Sequence, residues 1–229
     1  MNGRRWSGVI ALLGFCLLST AVLAQDQPDG LVKVRTRDVE LGWVRPGADF
    51  RPYTKVIIDR TQVAFRPDYI KDYNLNAGTM PRLTPEDAQK IMAAAQTNFD
   101  DIFVDAFKKA GYEVVTTTGP DVLRVNSGIL DLNVNAPFGG QDGQTTRIIT
   151  AGDAALIVEV RDTVTNALLG RVADRRETQR LGLQIATQAS LVFDFRQLFT
   201  LWSNICVKGL NEMKTLSPVP KDLRPNQSL

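Results

Sequence analysis

The chain has no histidine and only two cysteines, Cys16 and Cys206, among its 229 residues. Without imidazole, neither a Ser-His-Asp nor a Cys-His catalytic arrangement can be built, and zinc sites with imidazole ligands are excluded as well. Serine chemistry by other routes lacks its spacing, because no Ser-x-x-Lys and no Gly-x-Ser-x-Gly occurs. An excess of one charge is missing too. The 27 basic residues nearly match the 25 acidic ones. Arg4 and Arg5 fall in an N-terminal segment without acids, so the chain beyond it is neutral. A neutral chain exerts no long-range pull on nucleic acid or anionic lipid. No apolar run reaches the length of about 20 residues that a spanning helix needs.

What is present begins with that N-terminal segment. Arg4 and Arg5 precede an apolar run from Val9 to Leu18, and Val22-Leu23-Ala24 then gives the small-residue ending that a signal peptidase accepts. This is the layout of a secretory signal peptide over residues 1–24, and it predicts a periplasmic or secreted chain beginning near Gln25. Two alternatives remain, an uncleaved anchor and a lipoprotein signal at Cys16. Phe15 before that cysteine fits lipid attachment poorly. After cleavage Cys206 has no intramolecular disulfide partner, and its place among apolar helix neighbours predicts a buried, inert thiol.

Two helices are legible. Thr84 caps the first, Pro85 occupies its first turn with Glu86 and Asp87, and apolar residues recur from Ala88 to Ala110 at steps of three and four. A second runs from Asp194 to Lys214, ended by Pro218 and Pro220. Strands are predicted over Lys55–Phe65, Tyr112–Thr118, Val122–Asn135, Ala154–Asp162 and Ala167–Thr178. The last two form a hairpin turned at Asn166. A strand–helix–strand crossover gives parallel neighbours, and short links give antiparallel ones. The predicted fold is α+β: a two-layer sandwich with a mixed sheet of about five strands and two long helices packed on it. Residues 25–50 form an extended lead-in with a short strand at Leu31–Arg35, residues 51–216 one domain, and residues 217–229 a flexible tail. Trp43, Phe50 and Tyr53 pack under the lead-in, or alternatively line a groove.

Chemistry-bearing clusters are few. Phe138-Gly139-Gly140-Gln141-Asp142-Gly143-Gln144 is the glycine-rich run, but Thr145-Thr146-Arg147 follows where a phosphate loop places lysine and a helix. It reads as a strand connection, with a ligand-covering lid over 137–147 as the alternative. Asp142 alone makes no calcium site, and no cofactor or metal is expected. Asp162, Asp174, Arg175, Arg176 and Glu177 form a charged cluster around the hairpin. A solvated strand end with cross-strand ion pairs is the plain reading. A patch for a partner's acidic group would use Arg175 and Arg176, with Asp162, Asp174, Gly139 and Gly140 beside them. A paired-carboxylate hydrolase using Asp162, Asp174 or Glu177 is the third reading.

Three segments carry a resemblance. Arg45-Pro46-Gly47-Ala48-Asp49-Phe50-Arg51-Pro52-Tyr53 with the valine-rich strand to Asp59, Gly119-Pro120-Asp121-Val122-Leu123-Arg124-Val125, and Glu159-Val160-Arg161-Asp162-Thr163-Val164-Thr165-Asn166 followed by Asp174-Arg175-Arg176 together resemble domain of unknown function family 3313. That group consists mostly of predicted lipoproteins of Gram-negative envelopes, and the likeness covers most of residues 35–215. Asn166 stands where glycine is usual, and the lipid-bearing cysteine is missing. The resemblance implies an envelope location and an α+β sandwich, and brings no catalytic residues. The expected function is a non-enzymatic envelope protein that docks onto another envelope protein. A small-ligand carrier is the alternative. No nucleic-acid partner is expected, and membrane association follows only if the signal is uncleaved or Cys16 is lipidated.

Overall fold

The computed structural model describes residues 30–78, 81–135, 147–148, 150–179, 184–185 and 187–228. The expected signal segment, residues 1–24, and Gly139 and Gly140 lie outside them. The described chain is α+β with a mixed sheet. In chain order come β1 (Val32–Arg35), β2 (Leu41–Val44), β3 (Lys55–Ile58), β4 (Gln62–Phe65), α1 (Tyr69–Asn76) and α2 (Pro85–Lys109). They are followed by β5 (Glu113–Val114), β6 (Val122–Val134), β7 (Arg147–Ile148), β8 (Gly152–Asp162), β9 (Leu168–Glu177), β10 (Gln184–Ile185), α3 (Gln188–Thr215) and β11 (Gln227–Ser228).

The main sheet has nine strands, not about five. Its order is β11-β1-β2-β9-β8-β6-β3-β5, with β4 also on β6. Three things raise the number. The lead-in is a hairpin, β1 on β2, that extends the sheet from β9. The run from Lys55 to Phe65 breaks into two strands, both lying parallel along β6. At the break Thr61 is buried and its backbone is taken up by α2: its N–H donates to Asp100 Oδ1 at 3.1 Å, and its carbonyl accepts from Gln96. Third, the tail is packed rather than flexible. β11 pairs with β1, and Val219 and Leu223 are buried. Two apolar side chains in a polar tail suffice to hold it down. The parallel pairing of β3 with β5 and the antiparallel run β6-β8-β9 follow the predicted connections.

The two long helices follow from their caps. Thr84 Oγ1 accepts from Asp87 N–H at 3.1 Å while Asp87 reaches back to Thr84, a reciprocal capping box. Thr187 and Ser190 do the same for α3, so that helix begins at Gln188, earlier than Asp194. The short α1 went unpredicted. Tyr69 anchors it, stacking on Phe65 with centroids 4.4 Å apart and donating its hydroxyl to Val134 O at 2.9 Å.

Alternation along the strands divides the sheet into two faces. Leu123, Val125 and Ile129 of β6 and Leu156 and Val158 of β8 pack with Phe99, Phe103 and Phe107 of α2 and Phe199 and Trp202 of α3 in one core. The opposite face carries Arg124, Glu159, Arg161, Arg171 and Arg175. Both edges of the sheet end in two-residue strands, β11 and β5. Edges so short offer little ladder to an incoming strand.

Candidate functional site

The charged cluster of the hairpin does not form one site. Asp162 ends β8, and its Oδ1 accepts from Thr165 N at 2.6 Å, Thr165 Oγ1 at 2.7 Å and Val164 N at 3.1 Å. Its Oδ2 accepts from the Tyr53 hydroxyl at 2.8 Å. This is a turn-holding carboxylate, and Asn166 takes the left-handed conformation at φ 58° that the turn requires. Partial burial pushes the Asp162 pKa up. The bonds from Thr165, Tyr53 and Val164 outweigh it and hold the carboxyl below its ordinary value. The Tyr53 hydroxyl is pushed up, first by burial and then by Asp162.

Asp174 does a different job. Its side chain is only 5% exposed. It accepts from Trp202 Nε1 at 2.8 Å, Arg176 Nε at 2.5 Å and the Glu40 N–H at 3.0 Å. Arg176 Nη2 donates onward to Asp38 O at 2.6 Å, and Lys208 Nζ reaches Asp38 Oδ2 at 2.6 Å. The group ties β9, α3 and the β1–β2 turn together beneath the helices. Asp174 lies opposite Leu156, whereas Asp162 lies opposite Leu123, six steps further along β8, a strand distance of about 20 Å. The two carboxylates are therefore not a pair. Arg175, between Asp174 and Arg176, points to the other face. There its Nη1 donates to Asp153 Oδ2 at 2.9 Å and its Nη2 to Asp131. Glu177 is exposed at the strand end. Cys206 is half-buried on α3, and burial, with Asp174 nearby, pushes its thiol up to about 12.

Sequence reasoning missed a groove between α2 and α3. It has a volume of about 160 Å³. Ile91 and Ala95 of α2, Leu191 and Phe195 of α3, and Leu132 and Val134 of β6 line it. Val192, 40% exposed, lines it as well. Two cations flank it. Among the described residues Lys90 has only Asp87 at 3.8 Å, and the Arg196 guanidinium donates to the neutral Asn98. The run Leu191-Val192-Phe193 with Phe195 held the signal, because one helical face cannot bury all four. Among the described residues no group of three or more His, Cys, Asp or Glu could hold a metal. No helix among them is long and apolar enough to cross a membrane.

Fold and surface together define a helix-backed, mixed-sheet α+β protein whose conspicuous features are a groove and a charged sheet face. The chain belongs to the family described as protein of unknown function (DUF3313), whose model matches residues 24–204. No curated protein matches it. Among solved structures it is similar to the PelC dodecamer of Paraburkholderia phytofirmans, at 9% identity, TM-score 0.38, and 74% of this chain and 97% of that chain covered. It is similar to a Xanthomonas campestris protein of the DUF330 family at 10% identity, TM-score 0.39, with 81% and 98% covered. It also resembles a Helicobacter pylori homolog of a neuraminyllactose-binding hemagglutinin at 9% identity, TM-score 0.39, with 75% and 92% covered. These superpositions are loose, and the functional reading rests on this chain's own residues.

Proposed function

We propose that this chain is an exported, non-enzymatic envelope protein, periplasmic or secreted after cleavage near Ala24, that works by holding a partner protein in the α2–α3 groove. The observation that carries the reading is an apolar groove bordered by solvent-exposed Val192 and flanked by Lys90 and Arg196. Large apolar side chains left in water beside a groove mark an interaction surface. The groove's volume of about 160 Å³ is below the ~300 Å³ of a typical small-ligand pocket, so it suits an anchoring side chain better than a whole small molecule. The occupant is a partner segment with a large apolar anchor flanked by acids. Lys90 and Arg196 supply the complementary charge. The blunted sheet edges favour this surface over strand addition, and the separate structural duties of Asp162 and Asp174 take support from the hydrolase reading.

A photo-crosslinking phenylalanine analogue at Val192, at native expression in the producing cell, tests this. The same analogue at Leu75, 74% exposed on α1, is the control. One protein is expected to crosslink at position 192 and not at 75, through a peptide with an apolar residue flanked by Asp or Glu. Ala95→Arg, which fills the groove, removes the adduct. Monomer alone, equal adducts from both positions, or a linked peptide without acids overturns the docking reading. N-terminal sequencing of the mature chain tests export separately: Gln25 is expected first, and a start at Met1 or Cys16 overturns simple secretion.

A further inference from the structure

On the sheet face turned away from α2 and α3, the β6–β8 register sets Arg124 directly against Arg161. Side chains so paired have Cβ atoms about 4.5–5.5 Å apart, and like charges there repel. The two arginines are not equally provided for. Arg161 Nη2 donates to Glu159 Oε2 at 3.0 Å and Nη1 to Asn166 O at 3.3 Å. Arg171 Nε occupies the other oxygen of Glu159 at 2.8 Å, so that carboxylate has little left to offer Arg124. Burial pushes the Glu159 pKa up, but Arg171 and Arg161 outweigh it and keep the group ionised.

Arg124 has no such partner. Its Nε is the buried side-chain polar atom left without a hydrogen bond among the described residues. Asp59 Oδ2 is 3.7 Å away, beyond hydrogen-bond reach. The side chain is nonetheless 41% exposed, so its outer end is open to a ligand from solvent. The patch therefore holds three guanidiniums, Arg124, Arg161 and Arg171, against two carboxylates, Asp59 and Glu159. The flanking Lys55 is already neutralised by Asp121 at 3.1 Å.

We propose that Arg124 and Arg161 form a binding site for a small oxyanion, a phosphate or a carboxylate group. A guanidinium offers paired N–H donors that match both. An oxyanion over this pair offsets the repulsion between the two cations and accepts from the exposed outer end of Arg124, which Asp59 at 3.7 Å does not bond. A neutral ligand can accept a hydrogen bond there but does not offset the repulsion. The site lies on the other face of the sheet from the groove, so it stands or falls independently of the docking reading.

The test is NMR titration of the arginine side-chain Nε–Hε resonances, with ionic strength held constant by chloride. One arm adds inorganic phosphate and the other acetate, and the tighter of the two identifies the chemistry. Saturable shifts are expected at Arg124 and Arg161 and not at Arg175. Arg124→Gln should weaken binding at least tenfold, while Arg124→Lys, which keeps charge but loses the fork, falls between. Asp59→Asn, which removes the competing carboxylate, should tighten it several-fold in a folded protein. No saturable shift with either anion, or equal affinity in wild type and Arg124→Gln, overturns the proposal.

Discussion

Replacing Asp174 by alanine separates a structural carboxylate from a surface charge. Three donors lose their acceptor: Trp202 Nε1, Arg176 Nε and the Glu40 N–H. Trp202 is 0% exposed, so its indole N–H is stranded without water. A buried donor left alone costs about 1–3 kcal/mol. Arg176 is 33% exposed and turns partly to solvent, leaving about 1 kcal/mol from the lost charge-assisted bond. Glu40 is exposed and contributes only a few tenths. The sum, about 2–4 kcal/mol, overlaps the roughly 3–5 kcal/mol for breaking a buried pair from one side. With a urea slope of about 2 kcal/mol/M, the unfolding midpoint falls by roughly 1–2 M. Urea unfolding followed by far-UV circular dichroism measures it. Asp174→Asn, which keeps one acceptor oxygen, loses about half as much. Pairing Asp174→Ala with Trp202→Phe should give a coupling energy of about 1–2 kcal/mol. A loss under about 1 kcal/mol for Asp174→Ala, or strict additivity with Trp202→Phe, refutes the strut and returns Asp174 to the surface cluster.

Truncation after Leu216 removes buried Val219 and Leu223 together with β11, and is expected to cost about 3 kcal/mol. The melting temperature then falls by roughly 6–12 °C, and an unchanged one would mean the tail contributes nothing. Glu159 and Asp162 sit below their ordinary pKa values of 4.5 and 3.8. A carboxyl depressed by folding stabilises the native state above its unfolded pKa, and that stability is lost as pH falls through the folded value. Urea stability should therefore decline below about pH 4.5, and combining Glu159→Gln with Asp162→Asn should flatten that limb; an unaltered slope argues against it. Because its thiol is pushed up to about 12, Cys206 at pH 8 is ~0.01% thiolate, and native alkylation read by peptide mass spectrometry should be negligible until the chain is unfolded.

Much of the scaffold was legible because its signals are local. Thr84, Pro85 and Asp87 define the start of α2 by bonds spanning three residues, and the apolar stripe from Ala88 onward needs only the helical period. The Asn166 turn is equally local. The undercount of strands has the opposite cause. β2 and β11 are short, and each is a strand only because a partner far along the chain, β9 for β2 and β1 for β11, satisfies its backbone, whereas β1 falls where a short strand was expected at Leu31–Arg35. The break at Thr61 depends on Gln96 and Asp100, which reach it from α2. Asp174-Arg175-Arg176 looked like one charged patch. The strand pleat separates it, turning Arg175 to one face and its two neighbours to the other. The groove escaped because α3 begins earlier than its apolar pattern suggested, which brought Leu191 and Val192 onto the helix.

Taken by itself, the amino-acid sequence determined family membership, the α+β class, the two long helices and the central hairpin. Each of these is written in composition, caps and short-range periodicity. Tertiary structure alone decided which charges are spent and which are available. Asp162 became a turn anchor and Asp174 a buried strut, while Arg124 was left facing Arg161 with its Nε unbonded. Whether a charged group meets a partner depends on strand register and on helices brought in from distant positions, and no neighbour in the chain carries that information.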